Sequence, residues 1–136
     1  MTPRTTLAVT LLSMAATAAF CDAPDHTRGQ AIYDRCIACH AIDRNRTGPL
    51  HCGLFGRKAG DAPGFTFYSD AMRNSGIVWN VQALEEFLRD PAAMVPGTTM
   101  GYAGIADSRE RAELIAWLQD ASRAGTRCTV PRVSGP

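Results

Sequence analysis

Lysine is almost absent from this chain: among 14 basic residues Lys58 is the single one, and the rest are arginine. The formal net charge is only +1, and the basic residues nowhere form a run. That excludes the electrostatic footprint of a nucleic-acid binder. Internal repeats and low-complexity tracts are missing as well, so neither a solenoid nor a tail-like segment is encoded. No segment alternates apolar and polar residues over the length of a strand, which argues against a β fold. Nor does a second C-x-x-C accompany the pair at Cys36 and Cys39, so Cys21, Cys52 and Cys128 cannot easily complete a four-sulfur zinc cage.

What is present is concentrated in five residues, Cys36-Ile37-Ala38-Cys39-His40. The C-x-x-C-H spacing is the signature of c-type haem attachment. Two thiols three residues apart on a helical turn can each form a thioether with a porphyrin vinyl group, and the next residue turns an imidazole toward the iron. A thioredoxin-like redox pair would need a βαβ setting, which the flanking residues do not supply. Covalent haem is the expected cofactor, with His40 as an iron ligand.

Residues 1–21 read as a cleaved secretory signal. Arg4 provides the positive start, and the apolar stretch at 7–20 is too short to cross a bilayer comfortably. Cleavage fits after Ala16-Thr17-Ala18 or Ala19-Phe20-Cys21, whereas Phe20 before Cys21 suits a lipoprotein signal poorly. Five cysteines are an awkward number for an oxidising compartment. Removal of Cys21 leaves Cys36 and Cys39 for haem, and Cys52 and Cys128 either to bridge or to stand as two separate thiols. The bridge is the expected state. Residues 22–136 then form a single domain, placed in the periplasm and with no stable membrane insertion.

The element pattern is helical. Thr27-x-x-Gln30 has the form of a capping box and opens a helix running through Tyr33 into the cysteine motif. Residues 47–64 are rich in glycine and proline and should be tightly turned. Ser69 caps a short helix that Gly76 ends. Asn80 caps another that stops at Asp90, because Pro91 cannot continue it. Residues 94–104 read as a loop. Asp107 or Ser108 starts a final helix through Ala121, with Leu114, Ile115, Trp117 and Leu118 as its apolar stripe. An all-α domain wrapped around a prosthetic group is the expected fold class.

Taken together, several motifs resemble class I cytochrome c over about residues 26–121. They are Cys36-x-x-Cys39-His40, Thr47-Gly48-Pro49, Gly53-Leu54-Phe55-Gly56-Arg57-Lys58, Ser75-Gly76-Ile77-Val78-Trp79 and Pro96-Gly97-Thr98-Thr99-Met100. The resemblance implies helices crossing near Gly29, Tyr33, Leu114 and Trp117. It implies that the Pro49 carbonyl takes the proton of the His40 nitrogen turned away from the iron, and that Met100 is the second axial ligand. A soft thioether favours the reduced metal. Met72 and Met94 could ligate on chemistry alone but lack the Pro-Gly-Thr-x-Met setting. Trp79, Tyr68 and Arg57 are implied as partners of the buried haem carboxylates, which are costly unless paired.

Departures from the pattern accompany the resemblance. Phe67 competes with Tyr68 for the carboxylate-binding position, and Tyr68 is the expected occupant. Leu50-His51-Cys52 replaces the more usual Asn-Leu-His; His51 and His26 are expected to bond locally rather than bind iron. Phe87 stands where a tyrosine often hydrogen-bonds the methionine sulfur, leaving Thr98 to carry more of that task. Lysines common around the haem edge are replaced by Ala92, Ala93 and Thr99, while Arg35 and Arg46 keep positive charge.

These features imply a one-electron carrier rather than an enzyme, because both axial positions are filled by protein. Its partners are expected to be redox proteins (an oxidase, a dehydrogenase or another cytochrome), met transiently by a monomer. The alternative reading is a haem peroxidase or a gas or redox sensor in which the methionine dissociates.

Overall fold

The computed structural model describes residues 23–125, 127 and 128, so the expected signal at 1–21 lies outside them. Within these residues the helices are α1 (His26–Tyr33), α2 (Asp70–Arg73), α3 (Val81–Arg89), α4 (Pro91–Met94) and α5 (Ser108–Ala121). No strand forms; isolated bridges join Lys58 to Val78 and Ala124 to Cys128. None of the described helices is long and apolar enough to cross a membrane.

A short polar side chain starts each helix by accepting from first-turn N–H groups that have no partner inside the helix. Asn80 does so for α3, from the Ala83 N–H at 2.8 Å, and Ser69 for α2, from the Met72 N–H at 3.2 Å. Asp107 caps α5 through the N–H groups of Arg109 and Glu110, at 2.7 and 3.0 Å. At α1 the structure corrects the capping box. Asp25, not Thr27, is the cap, and it takes both the N–H and the hydroxyl of Thr27 at 2.9 and 2.6 Å. A carboxylate two residues earlier outcompetes the hydroxyl. The helix also ends at Tyr33, and the cysteine motif continues as separate turns, with the His40 N–H on the Cys36 carbonyl at 2.9 Å.

A second correction concerns Pro91. It stops α3 as expected, yet it also begins α4, where no helix was expected and whose last residue, Met94, is the first of the expected loop. Asp90 accepts from the Ala93 N–H at 3.0 Å, and a proline at the first helical position loses no hydrogen bond.

The core is built where α1 crosses α5. Gly29 permits the approach: a Cβ there would run into the Glu113 carbonyl and lie 2.6 Å from Trp117 Cβ. Tyr33 then packs on Trp117 with ring centroids 4.7 Å apart. Leu114, Ile115 and Leu118 are buried beneath the crossing, and Leu84, Phe87 and Leu88 of α3 close the far side. Each such side chain taken from water contributes about 1.5–3 kcal/mol. Glu113 is buried at the same crossing, reached by Arg28 and Arg109 at 3.2 Å each.

Candidate functional site

Loops and short helices, together with Tyr33 of α1 and Leu114 and Leu118 of α5, surround a cavity of about 350 Å³. That lies within the range of small-molecule and cofactor sites. Cys36, Cys39 and His40 line one part, Met100 and its neighbours another, and Leu54, Phe65, Phe87 and Leu118 make much of the wall apolar.

His40 is held from several directions. Its Nδ1 donates to the Pro49 carbonyl at 2.8 Å. A carbonyl can only accept, so the proton sits on Nδ1 and Nε2 keeps a free lone pair. Burial pushes this imidazole below its ordinary pKa, which keeps that lone pair available. Gly48 lies against the ring: a Cβ there would collide with Cε1 and come within 2.8 Å of both ring nitrogens. The Gly48 N–H is bonded to the Cys39 carbonyl, so the Thr47-Gly48-Pro49 turn is sewn onto the cysteine motif.

Cys36 and Cys39 are free thiols in this structure. Burial pushes the Cys36 thiol up to about 11. A redox-active pair needs its thiol lowered instead, so the setting suits a sulfur that becomes a thioether. Among the described residues no group of three or more His, Cys, Asp or Glu side chains is arranged to hold a metal ion by itself.

Met100 lies half-buried on an irregular segment in which each residue from Thr98 to Tyr102 lines the cavity. Thr98 accepts from the Met100 N–H at 3.2 Å, so it acts on the backbone of this residue. Phe87 is buried at the same wall, its ring edge-on to Trp79 at 5.1 Å. Met72 also lines the cavity, buried on the single turn of α2, whereas Met94 does not line it.

Arg57 and Trp79 are brought together by backbone pairing. The Gly56 N–H bonds the Trp79 carbonyl at 2.8 Å, and the Trp79 N–H bonds the Arg57 carbonyl at 3.0 Å. Two Arg57 nitrogens donate to the carbonyls of Cys52 and Leu50 at 2.8 and 2.9 Å. Its Nε is buried with no partner. Burial lowers the Arg57 pKa, so an anion placed beside it would be favoured. Tyr68 lines the cavity half-buried, and its hydroxyl accepts from the Ala62 N–H at 3.2 Å, which leaves the hydroxyl proton to donate elsewhere. Phe67, its rival, is 82% exposed.

The residues therefore fit a haem: two thiols and an imidazole at one end, a thioether opposite in the chain, apolar walls between, and an orphaned buried cation donor for a carboxylate.

Cys52 and Cys128 are joined by a disulfide, Cα atoms 5.4 Å apart. The ring of His51, expected to bond locally, instead pairs with the Tyr33 hydroxyl 18 positions earlier on α1, and it also stacks on His40. Burial, with the charges of His40 and Arg57, holds it well below the ordinary imidazole range. Arg111 was not singled out from sequence. This buried cation donates to the carbonyls of Ile105 and Ala106 at 2.6 and 2.8 Å and to Glu85 at 2.7 Å, anchoring the segment that follows Met100.

The cytochrome c family model matches residues 26–122. Cytochrome c2 of Blastochloris viridis is 39% identical over 120 residues, spanning 86% of this chain and 94% of that protein. Cytochrome c-550 of Bradyrhizobium diazoefficiens is 41% identical over 100 residues, 71% of this chain and 73% of its own length. Among solved structures, cytochrome cH from Methylobacterium extorquens superposes with a TM-score of 0.68 at 38% identity, covering 71% of this chain and 98% of that one. The chain belongs to the cytochrome c family: it is an electron carrier, not an enzyme, with a haem c attached covalently through a cysteine pair.

Proposed function

We propose that this carrier binds its haem through Cys36 and Cys39, ligates the iron with His40 and Met100, and shuttles single electrons between redox proteins of the periplasm. The bound haem supplies a one-electron ferric/ferrous couple. The observation that carries the reading is the placement of His40 and Met100 on a shared cavity, each on a backbone tied to its surroundings. With both axial positions filled by protein, no coordination site is left for a substrate.

Every side chain has a task in this reading. Pro49 fixes the His40 tautomer and raises its basicity. Met100 rather than Met72 is the sulfur ligand, because Met72 belongs to the buried cluster at α2 while Met100 rides on a segment that faces the cavity throughout. Arg57 Nε, the Tyr68 hydroxyl and Trp79 receive the haem carboxylates. Residues 1–21 direct export and are removed. Residues 22–136 work as one domain and a monomer. The partners are an oxidase, a dehydrogenase or another cytochrome, met in short encounters.

Intact mass of the protein exported by its own signal tests the assignment. The expected mass is that of a chain lacking about its first 21 residues, carrying one covalent haem and one disulfide. Full-length mass, or haem lost on denaturation, would refute it.

A further inference from the structure

Beside His40 stands a second imidazole. The rings of His40 and His51 are 4.5 Å apart between centroids and 20° from parallel. We propose that His51 is a positioning residue for His40, a stacked imidazole held rigidly enough to set the plane of the ligating ring and the polarity on its side of the iron. The inference rests on reading His40 as an axial ligand.

His51 is fixed at both its ring and its backbone. Its Nδ1 shares a hydrogen bond with the Tyr33 hydroxyl at 3.1 Å. Tyr33 is itself buried on α1 and packed on Trp117 of α5 at 4.7 Å, so a line of rings runs from the helix crossing to His40. The His51 N–H reaches the carbonyls of Ala41 and Ile42 at 3.1 and 3.2 Å, directly after His40 in the chain. The next residue, Cys52, is bridged to Cys128, and the Gly53 N–H bonds the Ser122 carbonyl at the end of α5.

The other restraints on His40 do less, since Gly48 lies against the ring but has no side chain to set its plane. The bond to Pro49 fixes one ring atom and allows the ring to swing about the line of that bond. A flat neighbour opposes the swing over the whole ring face. A branched aliphatic residue would fill the same space without needing a partner, whereas a buried imidazole must have its polar atoms satisfied. The Tyr33 hydroxyl meets that need at Nδ1. Filling space alone explains neither the polar ring nor its hydroxyl partner.

The test compares holoprotein carrying His51→Leu, His51→Phe and Tyr33→Phe with the unaltered holoprotein. One readout is the redox equilibrium against a standard of fixed potential. The other is the spread of hyperfine-shifted haem methyl resonances in the ferric protein, which follows the plane of the axial imidazole. His51→Leu makes the surroundings less polar and disfavours the extra positive charge of ferric iron. It is expected to shift the equilibrium at least about threefold toward ferrous, equivalent to about 28 mV at 59 mV per decade. It should also change the methyl spread. His51→Phe keeps a flat ring and is expected to restore the spread but not the potential. Tyr33→Phe is expected to shift both readouts in the direction of His51→Leu while leaving the stacked ring in place. Unchanged potential and spread in His51→Leu overturn the proposal, as do unchanged values in Tyr33→Phe if the first variant takes up no haem. Failure of His51→Phe to restore the spread overturns it too. Absence of axial-histidine resonances from the unaltered protein would instead bring down the ligand assignment, and this inference with it.

Discussion

At Arg57, two nitrogens hold backbone carbonyls and the third is buried without a partner. A buried cation donor with spare capacity suits an anion, and the proposed anion is a haem carboxylate. Arg57→Gln removes a positive charge close to the iron, which eases formation of the ferric state. The midpoint potential of the holoprotein is expected to fall; an unchanged or higher value would deny Arg57 this role. Single residues were legible in the sequence wherever chemistry demands a fixed spacing. Cys36, Cys39 and His40 must be neighbours on one turn, and Met100 comes with a recognisable setting. His51 was not legible as a neighbour of His40, because eleven positions of turning chain bring it back. Its contact depends on the Thr47-Gly48-Pro49 turn and on Tyr33 from another element, and no local pattern encodes either.

Helices here start at capping side chains and pack through small residues. Gly29 is where α1 meets the backbone of α5, so Gly29→Ala forces the helices apart. Overpacking of this kind costs about 1–3 kcal/mol, and the collision with a carbonyl oxygen puts the change at the upper end. Denaturant unfolding of the holoprotein checks it; an unchanged midpoint would show that the crossing yields freely. The caps also give the protein an acid limit. Hydrogen bonds from first-turn N–H groups, with the Thr27 hydroxyl at Asp25, lower the pKa values of Asp25 and Asp107. Groups with depressed folded pKa values stabilise the protein above their unfolded values, and that contribution is lost as pH falls through the folded ones. Replacing both by Asn, which still caps but does not titrate, is expected to flatten the loss of stability on the acid side. Identical acid profiles would contradict this. Element ends show what sequence reading overlooks. Asp90-Pro91 carries a stop for α3 and a start for α4 at once, and only the stop was read. Thr27 had the right pattern for a cap, but Asp25 precedes it with a stronger acceptor and takes the N–H groups of Thr27 and Arg28.

Across the whole molecule the charge is nearly balanced. Arg35, beside Cys36, is clasped by Glu110 of α5 at 2.8 and 3.0 Å. Ala92, Ala93 and Thr99 present exposed neutral surface instead of lysines. An encounter surface so weakly charged predicts an association rate with a redox partner that falls less than about tenfold between low and moderate salt; a steeper fall would reveal steering that this surface does not offer. The all-α fold was legible because the final helix carries an apolar stripe, caps stand at Ser69, Asn80 and Asp107, and no segment alternates like a strand. The bridge from Cys52 to Cys128 was legible only as arithmetic, since the two lie 76 positions apart and the Gly53 N–H reaches the Ser122 carbonyl only once the chain has folded. What unites these levels is a cavity closed by His40 and Met100, and the ferric optical spectrum of the exported holoprotein probes that closure most directly. A sulfur-to-iron charge-transfer band present at neutral pH, and abolished by Met100→Ala but retained in Met72→Leu, is the predicted result. A spectrum without that band, or a band that survives Met100→Ala, would contradict it.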